Sequence, residues 1–304
     1  MAAADLLTVV ITTSYVRSHP TLDVLKHLFR GFQHVPELHS CPKLIVCDGY
    51  RVQPVAQHKR GIITWQEESA YKQYIDVLQQ QCAALFPCSK VHVLPHHHGF
   101  AMAVSAALTH VHTKYVLIAQ HDYVFERAVP LTDILSTMEE CQAIKYVGFL
   151  ADSNVQYTNR RDNHQRQLSA GLSVLQRWGR LKLPLVPLLY WYDKTHICRS
   201  DHYREFVFER HQRRRWGLRN GDFIEDTLGQ EQLKDIKING IGAHGKYGTF
   251  LYYNDDGRHR CIRHLNGRRY LTKEQKRLYF VVSWLSQWYT RAIGKVIFQY
   301  FIGC

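Results

Sequence analysis

The sequence predicts an α/β fold in which helices flank a largely parallel central sheet. Short runs of apolar and β-branched residues alternate with longer segments whose apolar residues recur at helical spacing. The strand-like runs are Thr8–Thr13, Lys43–Cys47, Val91–Leu94 and Tyr115–Ala119. Strands buried on both faces of a parallel sheet form such unbroken apolar runs, and connections of helical length join them.

A helical pattern fills each gap between these runs. Pro20 opens the first helix, where its missing N–H and fixed φ are tolerated, and Gly99 begins the third. The second places Tyr71, Tyr74 and Leu78 on one face. Such an apolar stripe is typical of a helix that packs on a sheet.

The pattern loosens after the apolar segment Tyr146–Leu150. Residues 152–167 are polar and basic without a period and predict a loop, whereas Asp222–Ile236 predicts a helix and Tyr247–Tyr253 a later strand. The sequence shows neither an internal repeat nor a Gly/Ser linker. We therefore expect one continuous domain over residues 1–304.

Charge narrows the classes of partner. The formal net charge is +13 and the pI is about 9.4. This balance favours an anionic partner, whether nucleic acid, an acidic membrane surface or a phosphorylated substrate. Charge alone does not choose among these three.

Cysteine usage and the first residues indicate the compartment. The eight cysteines include no CxxC pair, which disfavours a zinc ribbon. Cys47 ends an apolar run and Cys82 lies in a helical pattern, so buried free thiols are expected. The opening MAAADLLTVVITTSY lacks the basic start of a secretory signal. We expect a reducing, cytoplasmic location.

Polar residues follow the predicted strands at the edge where an open α/β sheet binds its ligand. They are Thr12, Thr13 and Ser14 after the first strand, Asp48 after the second, and Gln120, His121 and Asp122 after the fourth. An acid placed like Asp48 can hydrogen-bond a ribose or base, although an Asp-Gly pair can equally be a turn. Asp122 can hold a hard cation that neutralises a diphosphate, and a capping role is the alternative.

Three segments resemble the family 2 glycosyltransferases, which have the GT-A fold. HGFAMAVSAALTHVHTKYVLIAQHDYVF is similar to the stretch in which a helix begun by glycine, here Gly99, precedes an apolar strand and the DxD motif. TVVITTSYVRSHPTLDVLKHL and KLIVCDGY are similar to that family's first and second strands with their donor-binding ends. The resemblance implies that Asp48 contacts the nucleotide base and that Asp122 holds the metal. Gln120 departs from the motif, because it stands where the first acid is expected.

The resemblance extends more loosely to the segments GDFIEDTLGQ and GAHGKYGTF. Glu225 and Asp226 match an acidic pair that faces the acceptor, so one of them would accept the proton of the attacking hydroxyl. The ordinary excess of acids at helix N-termini is the alternative. His244 matches a histidine that serves such enzymes as a further metal or diphosphate ligand.

Other basic and histidine-rich segments are less informative. His96, His97 and His98 are consecutive, and neighbouring side chains of an extended segment point to opposite faces, so they do not converge on one metal ion. The arginine clusters are mostly expected to be solvated, and one or two of their members could clamp a diphosphate. They are Arg160, Arg161 and Arg166; Arg213, Arg214 and Arg215; and Arg258, Arg260, Arg263, Arg268 and Arg269.

Three parts of the expected domain would differ in role. Residues 1–126 form the nucleotide-sugar-binding half, 127–272 the acceptor half, and 273–304 an amphipathic C-terminal helix. Arg291 and Lys295 interrupt that helix's apolar run, which leaves it too short to span a bilayer. Its Trp and Tyr residues fit a membrane interface, and packing on the domain's own core is equally open.

These observations predict a metal-dependent glycosyltransferase that uses Mn2+ or Mg2+. The donor would be a UDP- or GDP-linked sugar and the acceptor a hydroxyl of a glycan, protein or lipid, with inversion implied by the resemblance. The location would be cytoplasmic, and a peripheral position on a membrane face is an open alternative. A sugar-phosphate nucleotidyltransferase is a rival, but the segment TTSYVRSHPT lacks the Gly-rich loop that such enzymes carry after the first strand. A second rival, a non-catalytic protein that binds nucleic acid or a membrane surface, would leave Asp122, Glu225 and Asp226 unexplained.

Overall fold

The computed structural model describes residues 2–159, 183–209, 217–278 and 280–281. Most of the predicted C-terminal helix therefore lies outside the described residues. The same is true of the two arginine clusters at positions 160–166 and 213–215.

Twelve strands are present in the described part of the chain. In order they are β1 (Leu7–Thr13), β2 (Lys43–Cys47), β3 (Arg51–Val52), β4 (Ile62–Ile63), β5 (Ser89–Val93), β6 (Tyr115–Gln120), β7 (Tyr123–Phe125), β8 (Tyr146–Phe149), β9 (Leu185–Pro187), β10 (His196–Arg199), β11 (Thr249–Tyr252) and β12 (Ile262–His264). The α-helices are α1 (Ala3–Leu6), α2 (Asp23–Gly31), α3 (Trp65–Leu85), α4 (Gly99–Leu108), α5 (Leu131–Glu140), α6 (Ser200–His202), α7 (Gln230–Asn239) and α8 (His244–Tyr247).

Eight strands form one mixed sheet in the order β5-β2-β1-β6-β10-β8-β11-β9. The strands β5, β2, β1 and β6 are parallel, and β10 runs antiparallel between β6 and β8. From β1 the chain moves outward through β2 to β5 and then returns to β6 on the other side of β1. Such a reversal opens a crevice at the carboxyl ends of the two central strands. The predicted α/β class with a largely parallel, helix-flanked sheet is confirmed.

The first half of the chain follows the predicted elements closely. Strands β1, β2, β5 and β6 overlap the four predicted runs, and α3 and α4 pack on the sheet through their apolar faces. A reciprocal cap starts α3, in which Thr64 N–H donates to the Glu67 carboxylate and Glu67 N–H donates to Thr64 Oγ1. The first predicted helix is α2, which begins at Asp23 rather than Pro20, because Pro20 belongs to the turn that precedes it.

The second half of the chain differs more from the predicted helices and strands. The predicted helix over Asp222–Ile236 is a π-helical turn, Glu225–Gly229, that continues into α7. The predicted strand over Tyr247–Tyr253 is β11, preceded by the short helix α8. Strand β10 is an addition, because its polar ends give no apolar run in the sequence.

The seven cysteines that the structure describes are all free, and Cys47 and Cys82 are buried as expected. Within the described ranges, no helix combines the length and apolar character needed to cross a bilayer.

Candidate active site

A cavity of about 400 Å³ opens at the carboxyl ends of β1, β2 and β6. All the residues predicted to bind the donor line it: Thr12, Thr13, Ser14, Asp48, Gly99, Gln120, His121 and Asp122. Glu225 also lines it, whereas Asp226 and His244 do not. The topology therefore brings together strand ends that are more than a hundred residues apart in sequence.

Asp122, just beyond the end of β6, is paired with a histidine from the far end of the chain. Its Oδ2 accepts hydrogen bonds from His264 Nε2 at 2.9 Å and from Gly267 N–H at 2.8 Å. Burial by itself would raise the pKa of Asp122, but the bond from His264, the nearby His121 and the Gly267 amide together lower it to about 2. The same bond raises the pKa of His264. The geometry holds an anionic carboxylate at this point of the cavity.

His264 reaches Asp122 through the pairing of β12 with β7. In that antiparallel pair His264 lies opposite Tyr123, the residue after Asp122. The two rings are 4.7 Å apart. Leu265 N–H donates to the Asp122 backbone carbonyl at 2.7 Å and fixes the segment further. Sequence reasoning missed His264, because this contact depends on a strand pair formed between residues about 140 positions apart.

Gly267 allows the Asp122 carboxylate and His121 to approach the same point. A Cβ atom at Gly267 would lie 2.6 Å from His121 Nε2 and 2.7 Å from Asp122 Oδ2, closer than Cβ contacts occur. The other ring nitrogen of His121 is 2.8 Å from Thr13 Oγ1, which orients the ring. Asp122 and His121 thus pack against a glycine that a larger residue could replace only if they moved.

This cluster fits a divalent metal that is shared with a substrate. Among the residues the structure describes, no three His, Cys, Asp or Glu side chains form a complete metal site. Hard cations in phosphate-handling enzymes are often held by one or two protein carboxylates plus the substrate's phosphate oxygens. Asp122 and His264 could supply a comparable partial set if a cation replaced the hydrogen bond between them.

Asp48, after β2, holds the segment that begins α4. Its two carboxylate oxygens accept hydrogen bonds from His98 N–H at 2.8 Å, Gly99 N–H at 3.0 Å and His97 Nδ1 at 2.9 Å. The residue lines the cavity but is only 7% exposed. Its predicted contact with a nucleotide base stays a prediction, and the structure shows its carboxylate bonded to the segment that begins α4.

Aromatic rings border the Asp48 side of the cavity. Tyr15 and His58 have centroids 5.6 Å apart, and Tyr50 and Tyr71 are also 5.6 Å apart. All four line the cavity. Two cationic side chains, Lys194 and Arg269, line it as well. The cavity therefore combines flat apolar surfaces with positive charge, as a planar base joined to phosphates requires.

The predicted acidic pair is split between the cavity and the solvent. Glu225 is half-buried and lines the cavity, whereas the neighbouring Asp226 is exposed. Glu225 Oε2 accepts a hydrogen bond from Asp193 N–H at 3.2 Å, and Glu225 N–H donates to Asp193 Oδ2 at 3.2 Å. Asp193 is a further cavity residue that the sequence analysis did not single out.

His244 lies away from the Asp122 cluster. It is buried in α8, where its Nε2 donates a hydrogen bond to the Thr249 carbonyl at 2.7 Å. Its ring contacts Phe250 edge-on. The structure thus does not bring the predicted second ligand to Asp122, and places His264 there instead.

No known family model matches the sequence, and a search of curated proteins finds no significant match. Solved structures match at low identity. TarS of S. aureus (residues 1–349) is 12% identical over 85% of this chain and 60% of its own, with a TM-score of 0.45. A mannosyltransferase from Pyrobaculum calidifontis, solved with GDP-Man and Mn2+, is 10% identical over 83% and 58%, with a TM-score of 0.43. GalNAc-T7, solved with UDP, GalNAc and Mn2+, is 8% identical over 88% and 44%, with a TM-score of 0.49.

The chain spans less than two thirds of the length of each of these three structures. Similarity at such identities is a likeness of fold at most. It does not establish what this chain binds or which reaction it catalyses.

Proposed function

We propose that this chain is a metal-dependent glycosyltransferase of the GT-A kind, which transfers a sugar from a nucleoside-diphosphate sugar to an acceptor hydroxyl. The observation that carries the proposal is the shared cavity at the sheet's switch point. Asp122 with His264 lies in its wall, and so does the half-buried carboxylate Glu225. A diphosphate leaving group needs positive charge and an attacking hydroxyl needs a proton acceptor, so one cavity contains both functions.

Asp122 and His264 are the proposed metal ligands, with Mn2+ preferred to Mg2+. Mg2+ demands a nearly ideal shell of oxygens, whereas an imidazole ligand suits transition metals better. When bound, the ion would neutralise charge that develops on the departing diphosphate. Arg269 and Lys194, which line the same cavity, are proposed to pair with phosphate oxygens.

Glu225 rather than Asp226 is the proposed base. A base must reach the hydroxyl whose proton it takes, and Glu225 lines the cavity while Asp226 faces solvent. The nucleobase of the donor is proposed to lie between Tyr15, His58 and the Asp48 segment. The same proposal includes the three-part division of the chain and inversion at the anomeric carbon. It also includes a UDP- or GDP-linked donor, a glycan, protein or lipid acceptor, and a cytoplasmic, peripheral location.

Thermal unfolding with UDP or GDP, with and without Mn2+, tests the metal site. A ligand that binds the native state at a hundred times its Kd stabilises it by about 2.7 kcal/mol. We expect Asp122→Asn to abolish the Mn2+-dependent part of that stabilisation. Asp76→Asn, an exposed acid on α3, is the matched control and should behave as wild type.

Two results would contradict the proposal. One is Mn2+-dependent stabilisation of Asp122→Asn equal to that of the wild type. The other is a wild-type protein that binds DNA in a salt-sensitive manner and shows no response to any nucleoside diphosphate.

A further inference from the structure

Gln120, the last residue of β6, bridges to another part of the cavity wall. Its Nε2 donates a hydrogen bond of 3.0 Å to the backbone carbonyl of Asp193. Both residues line the cavity. This amide stands where the resembled family carries the first acid of its DxD motif, so the substitution has a specific bonding partner in this chain.

Asp193 in turn holds Glu225 by two reciprocal bonds. Asp193 N–H donates to the Glu225 carboxylate, and Glu225 N–H donates to the Asp193 carboxyl, each at 3.2 Å. Asp193 is 2% exposed, so it lies behind Glu225 rather than in the solvent. A third bond, from Tyr190 OH to the Glu225 carbonyl at 2.6 Å, ties the same turn to the same segment.

Close backbone packing supports this connection. A Cβ atom at Gly229 would lie 2.7 Å from the Trp191 carbonyl and 2.7 Å from the Tyr190 ring. Only a glycine lets the turn that carries Glu225 approach the 190–193 segment so closely. The 190–193 segment thereby sets the position of Glu225, and Gln120 helps to set the position of that segment.

An acid at position 120 would not preserve this arrangement. A carboxylate there would direct an acceptor oxygen at the Asp193 carbonyl, which is itself an acceptor. It would also add negative charge beside two carboxyl groups. Burial, and then the charge of Glu225, already raise the pKa of Asp193 well above its ordinary range. A donor amide is therefore the side chain that this position requires.

We propose that Gln120 and Asp193 are positioning residues that fix the Glu225 carboxylate in the cavity. The inference rests on the proposed function, in which Glu225 accepts the acceptor's proton. It assigns the departure from DxD a role in the acceptor half of the reaction. The glutamine then affects turnover by placing the base, and donor binding depends on other residues.

Gln120→Glu is the decisive variant because it keeps the shape of the side chain and replaces the donor amide with an acceptor. Misplacement of a catalytic group by about 1 Å can lower the rate by roughly a hundredfold. We expect kcat to fall by about that factor. Because the added charge would also face the diphosphate, donor affinity is compared in the uncharged variant Gln120→Met, in which the Kd of the nucleoside diphosphate, measured by calorimetry with Mn2+, should change by less than about threefold. Gln120→Asp, which restores the acid of the motif, is expected to lower kcat rather than raise it.

Gln142→Glu is the matched control. Gln142 Nε2 also donates to a backbone carbonyl, that of Glu139 at 3.2 Å, but on an exposed surface outside the cavity. Its kcat should stay at the wild-type value. Gln120→Met serves in case the added charge unfolds the protein, since it removes the bond without adding charge and is expected to lower kcat about tenfold.

Each outcome decides the inference. A fall in kcat of both variants, with the donor affinity of Gln120→Met unchanged, supports it. Wild-type kcat in Gln120→Glu and Gln120→Met, or a loss of donor affinity in Gln120→Met that matches its loss of kcat, overturns it. If the wild-type chain neither binds nor transfers from a nucleoside-diphosphate sugar, the proposed function fails instead, and the two failures are thereby distinguished.

Discussion

Replacing Glu225 with glutamine tests the assignment of the base most directly. A glutamine oxygen can still accept the Asp193 N–H bond, and the backbone bonds from Glu225 N–H to Asp193 and from Tyr190 OH to the Glu225 carbonyl are untouched. The fold should therefore persist. The side chain loses its ability to take a proton, which is typically worth about 10²–10⁴-fold in rate. This range corresponds to roughly 3–5 kcal/mol of activation free energy.

The assay is single-turnover transfer at saturating donor, with donor affinity measured separately. Asp226→Asn is the control, because it makes the same chemical change one residue away on an exposed side chain. We expect Glu225→Gln to lose turnover by the stated factor at unchanged donor affinity, and Asp226→Asn to keep turnover within about twofold. The reasoning is refuted if Asp226→Asn is the slower variant, or if both variants transfer at the wild-type rate.

Two further predictions concern the Asp122 cluster and the pH dependence of stability. Gly267→Ala should weaken Mn2+-dependent nucleotide binding at least tenfold in a metal titration, because its Cβ would lie 2.7 Å from Asp122 Oδ2. Gly242→Ala, whose Cβ meets nothing within 4 Å, should leave this binding unchanged. Equal affinities in the two variants would contradict a role for Gly267 beside Asp122. Burial lowers the pKa of His196 to about 4, below its unfolded value of about 6.5, so the unfolded chain binds the proton first as pH falls. His196 should therefore contribute roughly 3 kcal/mol to the fall in the free energy of unfolding between pH 6.5 and pH 4, and His196→Phe should reduce that fall by about this amount in urea unfolding at several pH values. An identical slope in both proteins would show that His196 is not responsible.

The first half of the fold was predictable because its strands are buried on both faces. Lys43–Cys47 was predicted to the residue, and β6 extends the predicted run by one position. Strand β10 was not predictable, because its existence depends on partners on both sides, β6 and β8, rather than on its own composition. The π-helical turn before α7 likewise reflects the packing of Gly229 against Trp191.

The cavity residues at the strand ends were predictable from topology alone. Parallel strands end at one edge, so Asp48 and Asp122 had to lie near each other once the sheet was inferred. The partner of Asp122 was not predictable in this way. His244 and His264 both lie near glycines, but Gly242 has open space around its Cβ position whereas Gly267 is packed against Asp122 and His121. Only the folded chain distinguishes a loop glycine from one that a neighbouring site requires.

The four carboxyl groups that line the cavity suggest why an acid is absent from position 120. Asp48 is surrounded by donors from the α4 segment, and Asp122 by His264 and the Gly267 amide. Asp193 is buried with a raised pKa, which favours its neutral form. Glu225, half-buried, accepts a backbone N–H on Oε2. A fifth carboxyl group between Asp122 and Asp193 would need its own donors or proton, and would increase the negative charge that a diphosphate donor must approach. A neutral amide at position 120 avoids both effects and still joins β6 to the segment that holds Glu225.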